Sequence, residues 1–165
     1  MLTFDGDAIV NPANKSLLGG GGLDGAIHKA AGMTQLYEAC KTLGGCETGQ
    51  SRTTPGFGLA CKWIIHTVGP NWHRHAPAEA VDLLRQAYRS IFHEAVQYEM
   101  TRIAVPAIST GIYGFPADIA AEIAAEEIAA GVAGNPQMTE VLMIFSETEK
   151  FNLASQALER HVKKS

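Results

Sequence analysis

The amino-acid sequence predicts an α/β fold, a three-layer αβα sandwich whose mixed but mostly parallel central sheet carries helices on both faces. Short apolar segments typical of buried strands alternate along the chain with longer segments whose apolar residues recur at helical spacing. The 165 residues, 46% hydrophobic and 18% charged, suffice for a sizeable core, and we expect a single domain over residues 1–165. Four consecutive glycines follow the first strand, where such folds commonly place a ligand.

The first half of the chain is predicted to contain two main strands and two helices. A short apolar run at 8–10 indicates the first strand, and Gly32 is expected to end the first helix because glycine readily adopts the left-handed conformation there. Thr34 has a side chain suited to cap the second helix. The second strand should stop at Gly69 and Pro70. The predicted elements are strand 7–10, helix 24–31, helix 34–42, a loop over 46–62 with room for one short strand, and strand 62–68.

The second half repeats the alternation of helix and strand. Apolar residues recur at helical spacing over residues 79–99, and a second loop rich in small residues follows the next strand. Pro116 suits the first turn of a helix, and Gly131 is expected to end that helix. The predicted elements are helix 79–99, strand 102–106, the loop 109–115, a helix from Pro116 to Gly131, strand 140–145 and helix 148–162.

Composition excludes several classes of function. The formal net charge of -4 argues against a nucleic-acid partner, which usually requires clustered Lys and Arg. The odd count of three cysteines, with no closely paired spacing, indicates reduced thiols in a cytoplasmic protein and argues against a disulfide frame or a zinc site. We expect no membrane span and no secretion signal, and the oligomeric state is left open.

The glycine run at 19–22 is the most informative stretch. Ordering four glycines costs more backbone entropy than ordering four residues of any other type. Anion binding by the exposed N–H groups at a helix N-terminus would compensate for that cost. We therefore predict a diphosphate cradle, completed by the loop 109–115 at the same edge of the sheet; a flexible loop is the alternative. The spacing Gly20-x-Gly22-x-x-Gly25 matches the fingerprint of dinucleotide-binding folds. A nicotinamide-type site is nevertheless not expected, because the loop before Gly20 is too long for the tight turn and no acidic residue ends a second strand about 20 residues on.

Several motifs, in order over nearly the whole chain, resemble the macrodomain family, specifically its MacroD-type branch. They are DAIVNPAN at 7–14, LLGGGGLDGAIH at 17–28, AAG at 30–32, GCETG at 45–49, IHTVGP at 65–70 and PAISTGIYGFP at 106–116. The resemblance implies a hydrolase that removes ADP-ribose from Asp and Glu side chains and deacetylates O-acetyl-ADP-ribose. Its partners would be ADP-ribose and ADP-ribosylated proteins, and it implies neither a cofactor nor a metal.

The same resemblance assigns roles to individual residues. Asn14 would hold the distal ribose, and Asp24 would orient or activate a water beside it, so these two are the candidate catalytic residues. Tyr113 would lie against the distal ribose and Phe145 near the adenine. The full set of candidate binding residues, which includes the amides expected to clamp the diphosphate, is Ala13, Gly20, Gly21, Gly22, Leu23, Ser109, Thr110, Gly111, Ile112, Tyr113 and Phe145.

Simpler interpretations of the two candidate catalytic residues remain open. Asp24 at a helix start suits a helix N-cap, and a helix N-terminus would keep its carboxylate ionised and a weak base. A weak base favours positioning of water, or proton transfer assisted by the substrate, over strong general-base catalysis. Asn14 suits the first residue of an Asx turn. His28, four residues after Asp24, lies on the same helix face and is expected to be a packed histidine.

The sequence departs from the family at its start. Macrodomains usually carry a further strand ending in a Gly-Asp-Ile-Thr-like turn whose aspartate recognises adenine, whereas Asp7 aligns with a different aspartate. The resemblance therefore implies weaker or less base-selective recognition of the purine. Two other functions stay open: a non-catalytic ADP-ribose-binding module, and a regulatory domain that binds another protein.

Overall fold

The structure is a computed structural model that describes residues 1–163. A five-stranded sheet forms its centre, with the strand order β2-β3-β1-β4-β5. All neighbouring strands are parallel except β2, which pairs antiparallel with β3, so the predicted mixed, mostly parallel sheet is confirmed. The strands are β1 (Ala8–Pro12), β2 (Ser51–Pro55), β3 (Trp63–Thr67), β4 (Arg102–Pro106) and β5 (Glu140–Ile144).

Helices cover both faces of the sheet, as predicted. They are α1 (Gly22–Ala31), α2 (Met33–Leu43), α3 (Pro77–Gln97), α4 (Ala117–Ala133) and α5 (Thr148–Val162). Successive residues of β1 point to opposite faces, so Ile9 packs in the core beneath α1 and α2 while Val10 packs in the core beneath α3 and α4. Within residues 1–163, no helix combines the length and the apolar character that crossing a bilayer requires.

The central position of β1 determines where side chains can meet. It pairs in parallel with β3 on one side and β4 on the other, so the carboxyl ends of all three strands lie at one edge of the sheet. Asn11, near the end of β1, is the register partner of His66 in β3. The loops that leave β1 and β4 therefore emerge side by side, which is the usual place for a ligand in this class of fold.

Several predicted helix ends were wrong by a few residues. The first helix begins at Gly22, after an extended Gly21 as N-cap, so Asp24 lies in the first turn and is not the cap. The second helix begins at Met33 without a cap from Thr34, because Gly32 at φ 113° turns the chain directly from one helix into the next. Smaller shifts affect α3, which spans Pro77–Gln97, and β5, which ends at Ile144.

Gly131 does not end α4, which continues to Ala133. A Cβ on Gly131 would lie 2.4 Å from two ring carbons of Phe92 in α3. The glycine is therefore explained by close packing between two helices and not by a helix stop, a distinction that needs the tertiary contact.

Replacing Gly131 by alanine is expected to lower the free energy of unfolding by about 1–3 kcal/mol, because the added methyl group overpacks against Phe92. This cost outweighs the gain of up to about 1 kcal/mol from the better helix propensity of alanine. Chemical denaturation measures the difference. Gly134→Ala is the matched control, because Gly134 has an α-helical φ of -82° and its nearest contact is an ordinary 3.4 Å. A Gly131→Ala protein as stable as its parent would contradict this packing argument.

Candidate functional site

A cleft of about 600 Å³ opens at the carboxyl edge of the sheet. Its walls come from the loop after β1, the N-terminus of α1, the loop after β4, and the segment from the end of β5 into α5. Every residue predicted for the site lines this cleft, namely Ala13, Asn14, Gly20, Gly21, Gly22, Leu23, Asp24, Ser109, Thr110, Gly111, Ile112, Tyr113 and Phe145. The structure thus brings the predicted set together, while the individual roles stay predictions.

The glycine loop lies against the first turn of α1. Gly19 and Gly22 have positive φ values of 96° and 57°, a conformation that favours glycine. The first intrahelical bond runs from Gly25 N–H to the Gly21 carbonyl, so the N–H groups of the preceding turn have no partner within the helix. These amides and the positive end of the helix dipole make this wall of the cleft suited to an anion.

Asn14 and Asp24 approach the same point beside the glycine loop. A Cβ built on Gly20 would lie 3.2 Å from Asp24 Oδ2 and 3.6 Å from Asn14 Nδ2. Asn14 also starts the expected Asx turn, because its Oδ1 accepts from the backbone N–H of Ser16 at 3.1 Å and its Nδ2 donates to the Gly19 carbonyl at 3.0 Å. The structural and functional interpretations of Asn14 are therefore compatible.

A chain of buried hydrogen bonds holds the Asp24 carboxylate. Asn11 Nδ2 donates to Asp24 Oδ1 at 2.8 Å and to His66 Nδ1 at 3.0 Å. Because His66 Nδ1 accepts this bond, the ring proton lies on Nε2, which donates to Thr54 Oγ1 at 2.9 Å. The predicted site residues did not include Asn11, although an asparagine inside an otherwise apolar strand is itself a signal, since asparagine is depleted from strands.

Burial shifts the pKa of Asp24 in the direction opposite to the expectation from sequence. The residue is only 7% exposed, and this burial raises the pKa of its carboxyl above the ordinary value, against the lowering effects of the Asn11 hydrogen bond and the nearby His28. The prediction that the helix N-terminus keeps the pKa of this carboxyl low was therefore wrong in direction, because desolvation outweighs the favourable interactions. A raised pKa brings the carboxylate closer to the basicity that general-base catalysis requires.

Three buried residues beneath Asp24 form a group of metal-ligand types. The ligand atoms of His28, Cys40 and His66 lie within 4.8 Å of one another. However, His66 Nε2 carries the proton and donates to Thr54, and burial raises the pKa of the Cys40 thiol to about 11. The Nδ1 lone pair of His66 already accepts from Asn11, and burial favours the neutral thiol of Cys40, so the hydrogen bonding supports a structural role for this group.

The stability of the protein is expected to fall as the pH drops below about 6.5, because burial lowers the pKa of His66 to about 3 from an unfolded value of 6.5. Between these values the unfolded chain binds the extra proton, so stability rises with pH by up to about 1.4 kcal/mol per pH unit. Chemical denaturation from pH 4 to 7 measures the slope, and His66→Gln should flatten it. Equal slopes in both proteins would contradict the assignment.

The loop after β4 is held in a strained conformation. Ser109 has a φ of 66°, unusual for a residue with a side chain, and its buried hydroxyl has no hydrogen-bond partner. Tyr88 of α3 supports the start of the loop by accepting from the Ile108 N–H at 3.3 Å. Phe115, at the far end, is 2% exposed and packs edge-on against Trp72 with ring centroids 4.9 Å apart, so it belongs to the core. Backbone strain of this kind commonly accompanies functional sites.

The segment after β5, two strands along the sheet from β1, contributes Phe145, Glu147 and Lys150 to the cleft. Asp7 lies outside the cleft, where it accepts hydrogen bonds from the backbone N–H groups of Thr101 and Arg102 at 2.7 and 2.9 Å. Its pKa is lowered because these bonds, together with the Thr101 hydroxyl and the Arg102 charge, outweigh desolvation. Asp7 thus has a structural role outside the cleft, which agrees with the expectation that it is not the aspartate that recognises adenine.

Comparison with known proteins identifies clear relatives. The family model described as Macro domain matches residues 10–124. A macro domain-containing protein of Ralstonia nicotianae is 55% identical over 128 residues, covering 78% of this chain and 74% of the relative. The O-acetyl-ADP-ribose deacetylase of Salmonella gallinarum is 51% identical over 126 residues, covering 74% and 69%. The Xenopus laevis ADP-ribose glycohydrolase MACROD2 is 51% identical over 118 residues, which cover 72% of this chain but only 28% of that protein.

Solved structures show the same architecture. The Oceanobacillus iheyensis macrodomain with ADP has a TM-score of 0.92 and 35% identity, covering 99% of this chain and 88% of that one. The Trypanosoma brucei macrodomain in complex with ADP-ribose has a TM-score of 0.85 and 36% identity, covering 93% and 64%.

Proposed function

Because this chain belongs to the macro domain family, we propose that it binds ADP-ribose in the cleft and hydrolyses ADP-ribosyl esters there. The proposed substrates are proteins ADP-ribosylated on Asp or Glu and O-acetyl-ADP-ribose. Support comes from relatives named as an O-acetyl-ADP-ribose deacetylase and as an ADP-ribose glycohydrolase, and from similar structures that contain ADP and ADP-ribose. A cytoplasmic location stays a prediction.

The observation that carries the proposal is the convergence of Asn14 and Asp24 on one point beside Gly20, at the end of an amide-lined wall. A carboxylate accepts hydrogen bonds, and the Asn14 amide donates them, so the pair can hold both a water and a sugar hydroxyl. The diphosphate would lie against the N-terminus of α1 and the loop 109–113. This placement delivers the distal ribose to the two side chains.

In the proposed reaction, Asp24 holds a water against the ester and accepts its proton as the water oxygen attacks. The ester bond breaks, the leaving oxygen takes a proton, and the products are ADP-ribose and a free carboxylic acid. Asn11 keeps the carboxylate oriented, because its amide bonds to both Asp24 and His66 at the base of the site. The raised pKa of Asp24 supports proton transfer to this carboxylate.

The test combines binding and turnover. We expect calorimetry to show one ADP-ribose bound per chain, and we expect release of ADP-ribose from a protein modified on Asp or Glu. Binding without turnover over a long incubation would instead favour the ADP-ribose-binding module. Absence of binding would overturn the proposal and leave the protein-interaction domain.

A further inference from the structure

Lys150 is a lysine in an unusual position. It lies in the first turn of α5 and lines the cleft, yet its side chain is only 20% exposed. Its Nζ donates to the backbone carbonyl of Thr110 at 3.1 Å and to Glu147 Oε1 at 2.7 Å. Among the cleft-lining residues in the described part of the chain, it is the only lysine or arginine. None of the motifs in the sequence pointed to it.

The bond to Thr110 fixes one peptide plane of the loop. In a trans peptide the carbonyl and the following N–H point in opposite directions, so holding the Thr110 oxygen determines where the Gly111 N–H points. Other hydrogen bonds hold the flanking groups, from Thr110 Oγ1 to the Ala107 carbonyl at 2.9 Å and from Gly114 N–H to the Gly111 carbonyl at 3.0 Å, but neither holds the Thr110 carbonyl. Packing does not hold this peptide either, since a Cβ on Gly111 would meet nothing within 4 Å. Without the lysine, a peptide followed by glycine can rotate and present a carbonyl oxygen in place of a donor.

We propose that Lys150 is a positioning residue that makes this cleft selective for a diphosphate. It orients the Gly111 N–H towards the anion and supplies the cleft with a positive charge. The inference rests on the proposed function, since it concerns how the same cleft recognises ADP-ribose. It adds to that function a specificity element contributed by α5, at the end of the cleft away from Asp24.

Glu147 partly neutralises the positive charge of Lys150. Its carboxylate pairs with Lys150 but has a side chain that is 58% exposed, so solvent screens the pair. A diphosphate carries two negative charges and would compete with Glu147 for the ammonium group. Removing the Glu147 charge should therefore tighten diphosphate binding, whereas removing the Lys150 charge should weaken it. A lysine that served only to attach α5 to the loop would not give opposite effects.

The experiment measures ADP-ribose affinity by calorimetry at several NaCl concentrations, together with kcat and KM for ester hydrolysis. Lys150→Met keeps the aliphatic stem and should weaken binding about 10-fold or more, consistent with loss of a charge-assisted hydrogen bond. It should also reduce the salt dependence and raise KM with little change in kcat. Lys150→Arg should stay within about threefold of the parent. Glu147→Gln should tighten binding, and Lys41→Met, at an exposed lysine of α2 outside the cleft, should change nothing.

Failure of this inference is distinguishable from failure of the proposed function. If the parent protein does not bind ADP-ribose, both are overturned. If the parent binds and Lys150→Met binds equally well, or if Lys150→Arg is as weak as Lys150→Met, only the role of Lys150 is overturned. A fall in kcat with unchanged KM would also overturn it, because it would place the effect at the ester and not at the diphosphate.

Discussion

Asp24→Asn is expected to lower the rate of ADP-ribose release by about 100-fold or more while leaving ADP-ribose binding nearly intact. The amide oxygen of asparagine can still accept the hydrogen bond from Asn11, so the side chain should keep its place. An amide cannot accept the proton of the attacking water, and the loss of a general base commonly costs two to four orders of magnitude. Single-turnover release from an Asp- or Glu-modified protein measures the effect.

The same substitution should stabilise the protein at neutral pH. Burial raises the pKa of Asp24 above 3.8, so in the acidic range above 3.8 the folded protein binds more protons than the unfolded chain. The free energy of unfolding therefore falls as the pH rises through this range, and the buried ionised carboxylate still destabilises the fold at neutral pH. Removing the buried charge should raise the free energy of unfolding by about 0.5–2 kcal/mol, a size typical of substitutions that stabilise a protein at some cost to its activity.

Asp118→Asn is the matched control, because Asp118 is an aspartate in the first turn of α4 but is exposed. It should leave activity unchanged and slightly lower stability, through loss of a favourable interaction with the helix dipole. An Asp24→Asn protein that hydrolysed the ester at the parent rate would contradict the proposed role. A less stable Asp24→Asn protein would contradict the argument from burial.

Gly25→Ala is expected to reduce hydrolysis about 100-fold by disturbing the glycine loop from behind. A Cβ at Gly25 would lie 2.4 Å from the Gly20 carbonyl oxygen, a contact that backbone atoms cannot accommodate without moving. Displacing Gly20 moves the point at which Asn14 and Asp24 converge. Misplacement by about 1 Å can cost two orders of magnitude in rate.

The measurement compares kcat/KM, ADP-ribose affinity and thermal unfolding in Gly25→Ala and Ala26→Ser. Ala26 follows Gly25 in α1 and is exposed, so its added hydroxyl points to solvent and should have little effect. We expect Gly25→Ala to lose both binding and turnover, since the amides of the loop and the two side chains move together. Parent-like binding and turnover in Gly25→Ala would show that the loop adapts and that this packing does not determine the site.

The region around the cleft contains several features that destabilise the folded protein. In the described part of the chain, the buried side-chain atoms without a hydrogen-bond partner are Asn11 Oδ1, His28 Nε2, Ser109 Oγ and Asn135 Nδ2, and three of these lie at or beside the site. His28 Nε2 lies 3.4 Å from Asp24 Oδ1, but a buried polar group with no such neighbour costs about 1–3 kcal/mol. The buried carboxylate of Asp24 and the left-handed backbone of Ser109 are destabilising in the same way. Unfavourable features of this kind are typical of functional sites.

Local pattern was sufficient to predict the fold class, most of the strands and the two loops rich in small residues, whereas the individual residues of the cleft came from the resemblance to the macrodomain family. Apolar runs and glycine loops are short-range signals, and parallel strands then bring their carboxyl ends to one edge whatever the remaining packing. Helix ends were less predictable, because Gly32 and Gly131 look alike as possible stops. Only the close contact with Phe92 explains why the glycine at 131 lies inside a helix and does not end it.

The mixed sheet and the two glycine-bearing loops at its carboxyl edge could be predicted from sequence pattern, because they depend on residues close together in the chain and on the general geometry of parallel sheets. The pairing of Asn14 with Asp24 was implied by the family resemblance. Only the tertiary contacts reveal the direction of the Asp24 pKa shift, the support of Asn11 by His66, and the bond from Lys150 to the second loop. These depend on burial and on contacts between residues as far as 55 and 40 positions apart, which no local pattern encodes.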